Sequence, residues 1–81
     1  MAGFDVSKQT EYGKWEEGQN SGDLIVGVYS YNGGEPKVGF NRYIEKKDGM
    51  VITKSGRLSW SDLMYIESIW DEIKECMEGI K

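Results

Sequence analysis

Between Leu24 and Ile44 the apolar side chains fall on alternate residues either side of a short turn. That spacing restricts the stretch to a β-hairpin with one covered face. Leu24, Val26, Val28, Val38, Phe40 and Ile44 share the even positions and need a layer over them. The odd positions hold Tyr29, Tyr31, Lys37, Asn41 and Tyr43, with Gly27 and Gly39 leaving bare backbone between them. This second face is too aromatic for idle solvent surface and too polar for a second core. Arg42 falls among the even positions, so either it lies at the sheet margin or a bulge shifts the register.

The remaining elements build on that hairpin. Leu24 to Tyr31 is β-branched and aromatic, the strongest strand in the chain, and Asn32-Gly33-Gly34-Glu35-Pro36 is a loop whose glycines tolerate positive φ. Lys37 to Glu45 forms the next strand, Asp48-Gly49 a tight turn, and Met50 to Lys54 a short last strand. Ahead of them, Phe4 to Glu17 has a weaker strand pattern marked by Phe4, Val6, Tyr12 and Trp15, and Gly18 to Asp23 is a turn cluster. Residues 1–3 are expected to be disordered. The expectation is therefore a four-stranded antiparallel sheet over residues 4–54.

A helix is expected over residues 59–80. Ser59-Trp60-Ser61-Asp62 has the form of a capping box, and Leu63, Ile66, Trp70, Ile73, Met77 and Ile80 recur at three- and four-residue steps. Ile69 and Cys76 widen the stripe, while Glu67, Asp71, Glu72, Glu75 and Glu78 face elsewhere. At about six turns, one such helix is longer than a sheet this small can cover. The excess points to helix packing between two copies through Leu63, Ile66, Trp70, Ile73 and Met77. The fold class is thus α+β: one domain spanning residues 1–81, an antiparallel sheet followed by one long amphipathic helix, dimerising.

Size supports the same conclusion. An 81-residue chain has little volume for a private core and usually gains stability from disulfides, a metal or a partner subunit. Cys76 is the only cysteine and there is no histidine, so disulfides and a zinc site are not expected, and no cofactor is indicated. A partner subunit remains. No apolar run approaches the roughly 18 residues of a membrane helix, so no membrane partner is expected and the chain reads as intracellular, cytoplasmic or nucleoid-associated. There is no histidine base, no nucleophile elbow and no phosphate-cradling glycine motif, so catalysis is not expected. Cys76, on the flank of the helix stripe beside Met77, suits burial better than reactivity.

Charge is segregated along the chain. The total is −4, but residues 37–57 set Lys37, Arg42, Lys46, Lys47, Lys54 and Arg57 against only Glu45 and Asp48. With a screening length of about 8 Å at physiological salt, an anionic chain at this segment senses mainly the local surplus. Aromatic rings among cations match the two needs of a single nucleic-acid strand, charge for its phosphates and a flat surface for unstacked bases. The candidate contacts are Tyr29, Tyr31, Lys37, Asn41, Arg42, Tyr43, Lys54 and Arg57. Lys46 and Lys47 sit at a turn tip and reach only a long strand. Trp15 has odd parity in a strand of unknown register, Trp60 is placed as an anchor for the helix start, and Trp70 as core or dimer packing. The rival reading is a protein-interaction module using the exposed sheet face and the acidic helix.

Three stretches, Glu35-Pro36-Lys37-Val38-Gly39-Phe40-Asn41-Arg42-Tyr43, Lys54-Ser55-Gly56-Arg57-Leu58 and the helix from Ser59 onward, resemble the positive cofactor four family of single-stranded-DNA-binding transcriptional coactivators, in its bacterial and phage members. The likeness covers about Leu24 to Trp70. It implies a curved four-stranded antiparallel sheet, then one helix, and a homodimer whose two sheets cradle single-stranded DNA, or RNA, in the service of transcription, replication or recombination. A phage-encoded member would work in its host cell, beside protein partners of the transcription or replication machinery. Lys37 and Lys54 match positions that are commonly basic in the family, and Tyr31 and Tyr43 match family aromatics. Gly39 and Asn41 stand where the family usually carries an acid and an arginine, with Arg42 one position along. The serine- and acid-rich regulatory tail of eukaryotic members is not expected here.

Overall fold

The computed structural model describes residues 6–80, so the expectations for residues 1–3 and for Phe4 lie outside the described residues. A short 3-10 turn, Val6–Lys8, leads into β1 (Gln9–Glu16), β2 (Leu24–Tyr31), β3 (Lys37–Lys46) and β4 (Gly49–Lys54). All neighbouring pairs are antiparallel, in the order β1-β2-β3-β4. The sheet is an open meander. Asn32 and Gly33 begin the β2–β3 loop at φ of 54° and 77°, the left-handed region in which asparagine and glycine bear the least strain.

Register explains the burial. Val28 pairs with Val38 and Val26 with Phe40, which puts the even-numbered residues of both strands on one face. Leu24, Val26 and Val28 are fully buried there, with Val38 and Phe40 packed against them. No shift interrupts the β2–β3 pairing, and Leu24 faces Arg42 at its end. The arginine therefore sits at the margin of the core face, and no bulge is involved. The irregularity lies instead in β1, between Glu11 and Gly13, where Tyr12 is extra. This bulge reverses the parity of the rest of β1 and turns Trp15 toward the core, opposite Val26.

The helical segment that covers this face is broken, contrary to the single helix expected over residues 59–80. It comprises α1 (Trp60–Ser68) and α2 (Trp70–Ile80), with Ile69 between them. Ser59 caps α1: its hydroxyl accepts from the Asp62 N–H at 3.2 Å, and its own N–H donates to Asp62 Oδ2 at 2.8 Å. At the other end the Ser68 hydroxyl donates to the Tyr65 carbonyl at 2.6 Å, the acceptor that the Ile69 N–H would use in a continuous helix. Ile69 N–H turns to the Ile66 carbonyl at 3.2 Å, and the ladder resumes with Ile73 N–H on the Ile69 carbonyl. Such back-bonding by serine is a known source of helix bending.

Ile66, Ile69 and Ile73 close the core over Leu24, Val26 and Val28, each such burial being worth about 1.5–3 kcal/mol. The expected intersubunit seam is thereby divided. Ile66 and Ile73 are consumed by the chain's own core and Met77 packs beside them, so these three cover their own sheet first. Leu63 and Trp70 stay open, 48% and 50% exposed. Trp60, expected to anchor the helix start against the sheet, is instead exposed on α1.

Candidate nucleic-acid interface

Antiparallel register sorts the face opposite the helices into rows that run across the strands. One row is Glu11, Tyr29 and Lys37, from β1, β2 and β3. The next is Lys14, Gly27 and Gly39, and a third is Glu16, Ile25, Asn41 and Lys54. Tyr31 faces Gln9 at one end of this surface, and Tyr43 faces Ile52 at the other. Of the eight residues singled out from the sequence, Tyr29, Tyr31, Lys37, Asn41, Tyr43 and Lys54 thus share one face. Arg57 is exposed in the segment leading to α1, and Arg42 lies on the opposite face.

The centre of the surface is the Tyr29 ring. A Cβ placed on Gly27 would stand 2.2 Å from its ring carbon and hydroxyl, and one on Gly39 would stand 3.4 Å from its edge. The ring therefore lies down over the two glycines instead of standing off the sheet. Burial raises the Tyr29 pKa, the nearby Glu11 carboxylate raises it further, and a hydrogen bond with Asn41 acts in the opposite direction. Hollows of about 310 Å³ and 630 Å³ flank this ring and share Gln9, Tyr29 and Gly39 as lining. Tyr31 and Lys37 border the smaller one; Glu11, Lys14, Asn41 and Lys54 border the larger.

Tyr43 has a different environment. Its hydroxyl donates to Glu16 Oε2, so a bridge from β3 to β1 crosses the end of β2. Ile25, paired with Glu16 on one side and Asn41 on the other, is only 1% exposed although it belongs to the open face. The hydrogen bond lowers the Glu16 pKa, helped by Lys14 at 3.9 Å, and the same bond raises that of Tyr43.

Arg42 is not available to a phosphate in the way the sequence suggested. Its guanidinium donates to Asp62 Oδ2 at 2.8 Å and Oδ1 at 3.3 Å, to the Gly22 carbonyl at 2.7 Å and to Ser55 Oγ at 2.7 Å. These bonds lock β3 to the capping box of α1. A planar fork of donors suits this task, and it satisfies a carboxylate that is only 4% exposed. By contrast Lys37, Lys54 and Arg57 form no ion pair among the described residues, so their charge is not cancelled by a partner.

Sequence reasoning missed Glu11, Lys14, Glu16 and Ile25 as members of the face. The bulge at Tyr12 hides the three on β1, because Glu11 is odd while Lys14 and Glu16 are even; Ile25 on β2 already has the odd parity of the face. Gly13, a poor strand residue in the middle of β1, was the available signal. Among the described residues no group of His, Cys, Asp or Glu could hold a metal ion, and no helix is long and apolar enough to cross a membrane. No family model, curated protein or solved structure matches this chain.

Proposed function

We propose that this chain binds single-stranded nucleic acid, DNA or RNA, across the open face of its sheet, with low sequence specificity and as a homodimer. The observation that carries the reading is the Tyr29 ring laid flat on Gly27 and Gly39 with two unneutralised lysines, Lys37 and Lys54, on the neighbouring strands. A flat ring offers a surface to any base, and the lysines hold the phosphates on either side of it. The sheet presents no helix suited to a major groove, so duplex sequence has no reader. The resemblance to the positive cofactor four family supports the same function, with transcription, replication or recombination inside the cell as its setting. Curvature of the sheet and pairing of two copies belong to this reading too, with Leu63 and Trp70 as the open members of the seam.

Fluorescence titration with an oligo-dT of about twenty nucleotides, beside its duplex form, tests the proposal. Single strands should bind more tightly. Lys37→Ala and Lys54→Ala should each flatten the slope of log K against log salt by about 0.7 per lost phosphate contact. Tyr29→Ala and Tyr31→Ala should weaken binding by about 1–3 kcal/mol per base with the slope nearly intact. Equal or tighter affinity for matched duplex would sink the reading.

One observation favours the rival, a protein-interaction module. Met50, Val51 and Ile52 on the edge strand β4, with Trp60, Leu63 and Met64 on α1, are large apolar side chains left exposed, as at surfaces that hold a protein partner. A partner held there would bind with little response to salt, whereas strand binding falls steeply.

A further inference from the structure

The open face is not uniform across its width. Lys37 on β3 faces Glu11 on β1 across Tyr29, and β1 lines the larger hollow with Glu11 and Lys14. Two strand spacings separate β1 from β3, about 10 Å, comparable to the reach from a phosphate to the pairing edge of its own base. A nucleotide whose phosphate rests on Lys37 and whose base lies on Tyr29 therefore turns its pairing edge toward β1.

The side chains waiting there differ in how far they are committed. Glu16 is held by Tyr43 and Lys14, whereas Glu11 takes no hydrogen bond or ion pair from any described residue. It is close enough to Tyr29 to raise the pKa of that phenol. The Glu11 carboxylate has two acceptor oxygens and no donor. Guanine alone among the bases carries two adjacent donors on its pairing edge, N1–H and the N2 amino group, with the O6 acceptor beside them for an ammonium. Thymine and uracil set two carbonyl oxygens around a single N–H, which a carboxylate repels.

Resting on the proposed strand binding, we infer that Glu11, with Lys14 beside it, makes this face prefer guanine at the one nucleotide that lies over Tyr29. Elsewhere the face stays permissive, because the phosphates and the ring carry no base information. The preference is a property of one subsite.

Competition titrations with an oligo-dT carrying guanosine, inosine or only thymidine at its central positions test this, since inosine lacks the N2 amino group. The unmodified protein should bind the guanosine strand at least about fivefold more tightly than plain oligo-dT, the low end for a bidentate contact, with inosine between them. Glu11→Gln, an isosteric change at an exposed site, should compress the guanosine-to-inosine difference to less than about twofold and strengthen binding of plain oligo-dT. Equal affinity for all three strands, or a guanosine preference unchanged in Glu11→Gln, overturns the inference and leaves strand binding standing. Absence of binding to every strand overturns both.

Discussion

Replacing Arg42 with methionine keeps a similar length and removes a fan of five hydrogen bonds that joins three parts of the chain. The β1–β2 loop loses a bond at the Gly22 carbonyl, the segment after β4 loses one at Ser55, and Asp62 loses its cation. The Asp62 carboxylate then keeps only the Ser59 N–H and the start of α1 as partners while remaining almost buried. Breaking a fully buried pair from one side costs about 3–5 kcal/mol. Here the arginine side chain is 22% exposed and the cap bond survives, so about 2–3 kcal/mol is expected. A chain of this size holds on the order of 4–12 kcal/mol in total, so the variant should melt about 10–20 °C lower.

Urea titrations followed by circular dichroism measure this loss, and a double-mutant cycle with Asp62→Ala isolates the pair, with a coupling of about 1.5–2 kcal/mol expected. The pH dependence gives a second reading. Arg42 holds the Asp62 pKa below its ordinary value, with the Ser59 bonds acting the same way against burial. A carboxylate with a depressed folded pKa contributes stability above its unfolded pKa of about 3.9 and loses it as pH falls through the folded value. The gap between the parent and Arg42→Met should therefore be full near neutrality and narrow below about pH 4. A loss under 0.5 kcal/mol, or a coupling near zero, would show that the latch does not hold the helix to the sheet. A folded Arg42→Met variant with a flattened salt slope for strand binding would return the arginine to phosphate contact.

Two further outcomes follow from the same geometry. Gly27→Val should leave a folded sheet, since valine suits a strand, but its Cβ meets the Tyr29 ring and must lift it; strand affinity should fall by about one stacked base, 1–3 kcal/mol, at unchanged salt slope, and binding as tight as the parent's would refute the platform. Trp70→Lys and Leu63→Lys, at exposed sites, should leave the protomer folded and shift light scattering from dimer to monomer, whereas Ile73→Lys, in the core, should unfold it; a parent that scatters as a monomer at micromolar concentration removes the dimer.

Local pattern was enough to read the two central strands, their faces and the start of the helical segment. Alternation between Leu24 and Phe40 has period two, a property of backbone geometry that needs no neighbour to be read, and the Ser59 cap is closed by a residue three positions on. The shared face of Tyr29, Lys37 and Asn41 followed from the same parity. Tertiary structure decided what depended on partners far along the chain. Arg42 and Asp62 are 20 residues apart, and only folding shows that the arginine is spent on a helix cap. Trp15 and Lys14 took their faces through one extra residue at Tyr12, because a single bulge exchanges the two faces of everything beyond it. The helix stripe looked continuous because apolar spacing does not register a serine hydroxyl competing for the Tyr65 carbonyl. Ile66 and Ile73 looked like a seam between subunits for a related reason: spacing identifies a face that must be buried, and only three-dimensional packing chooses whose surface buries it.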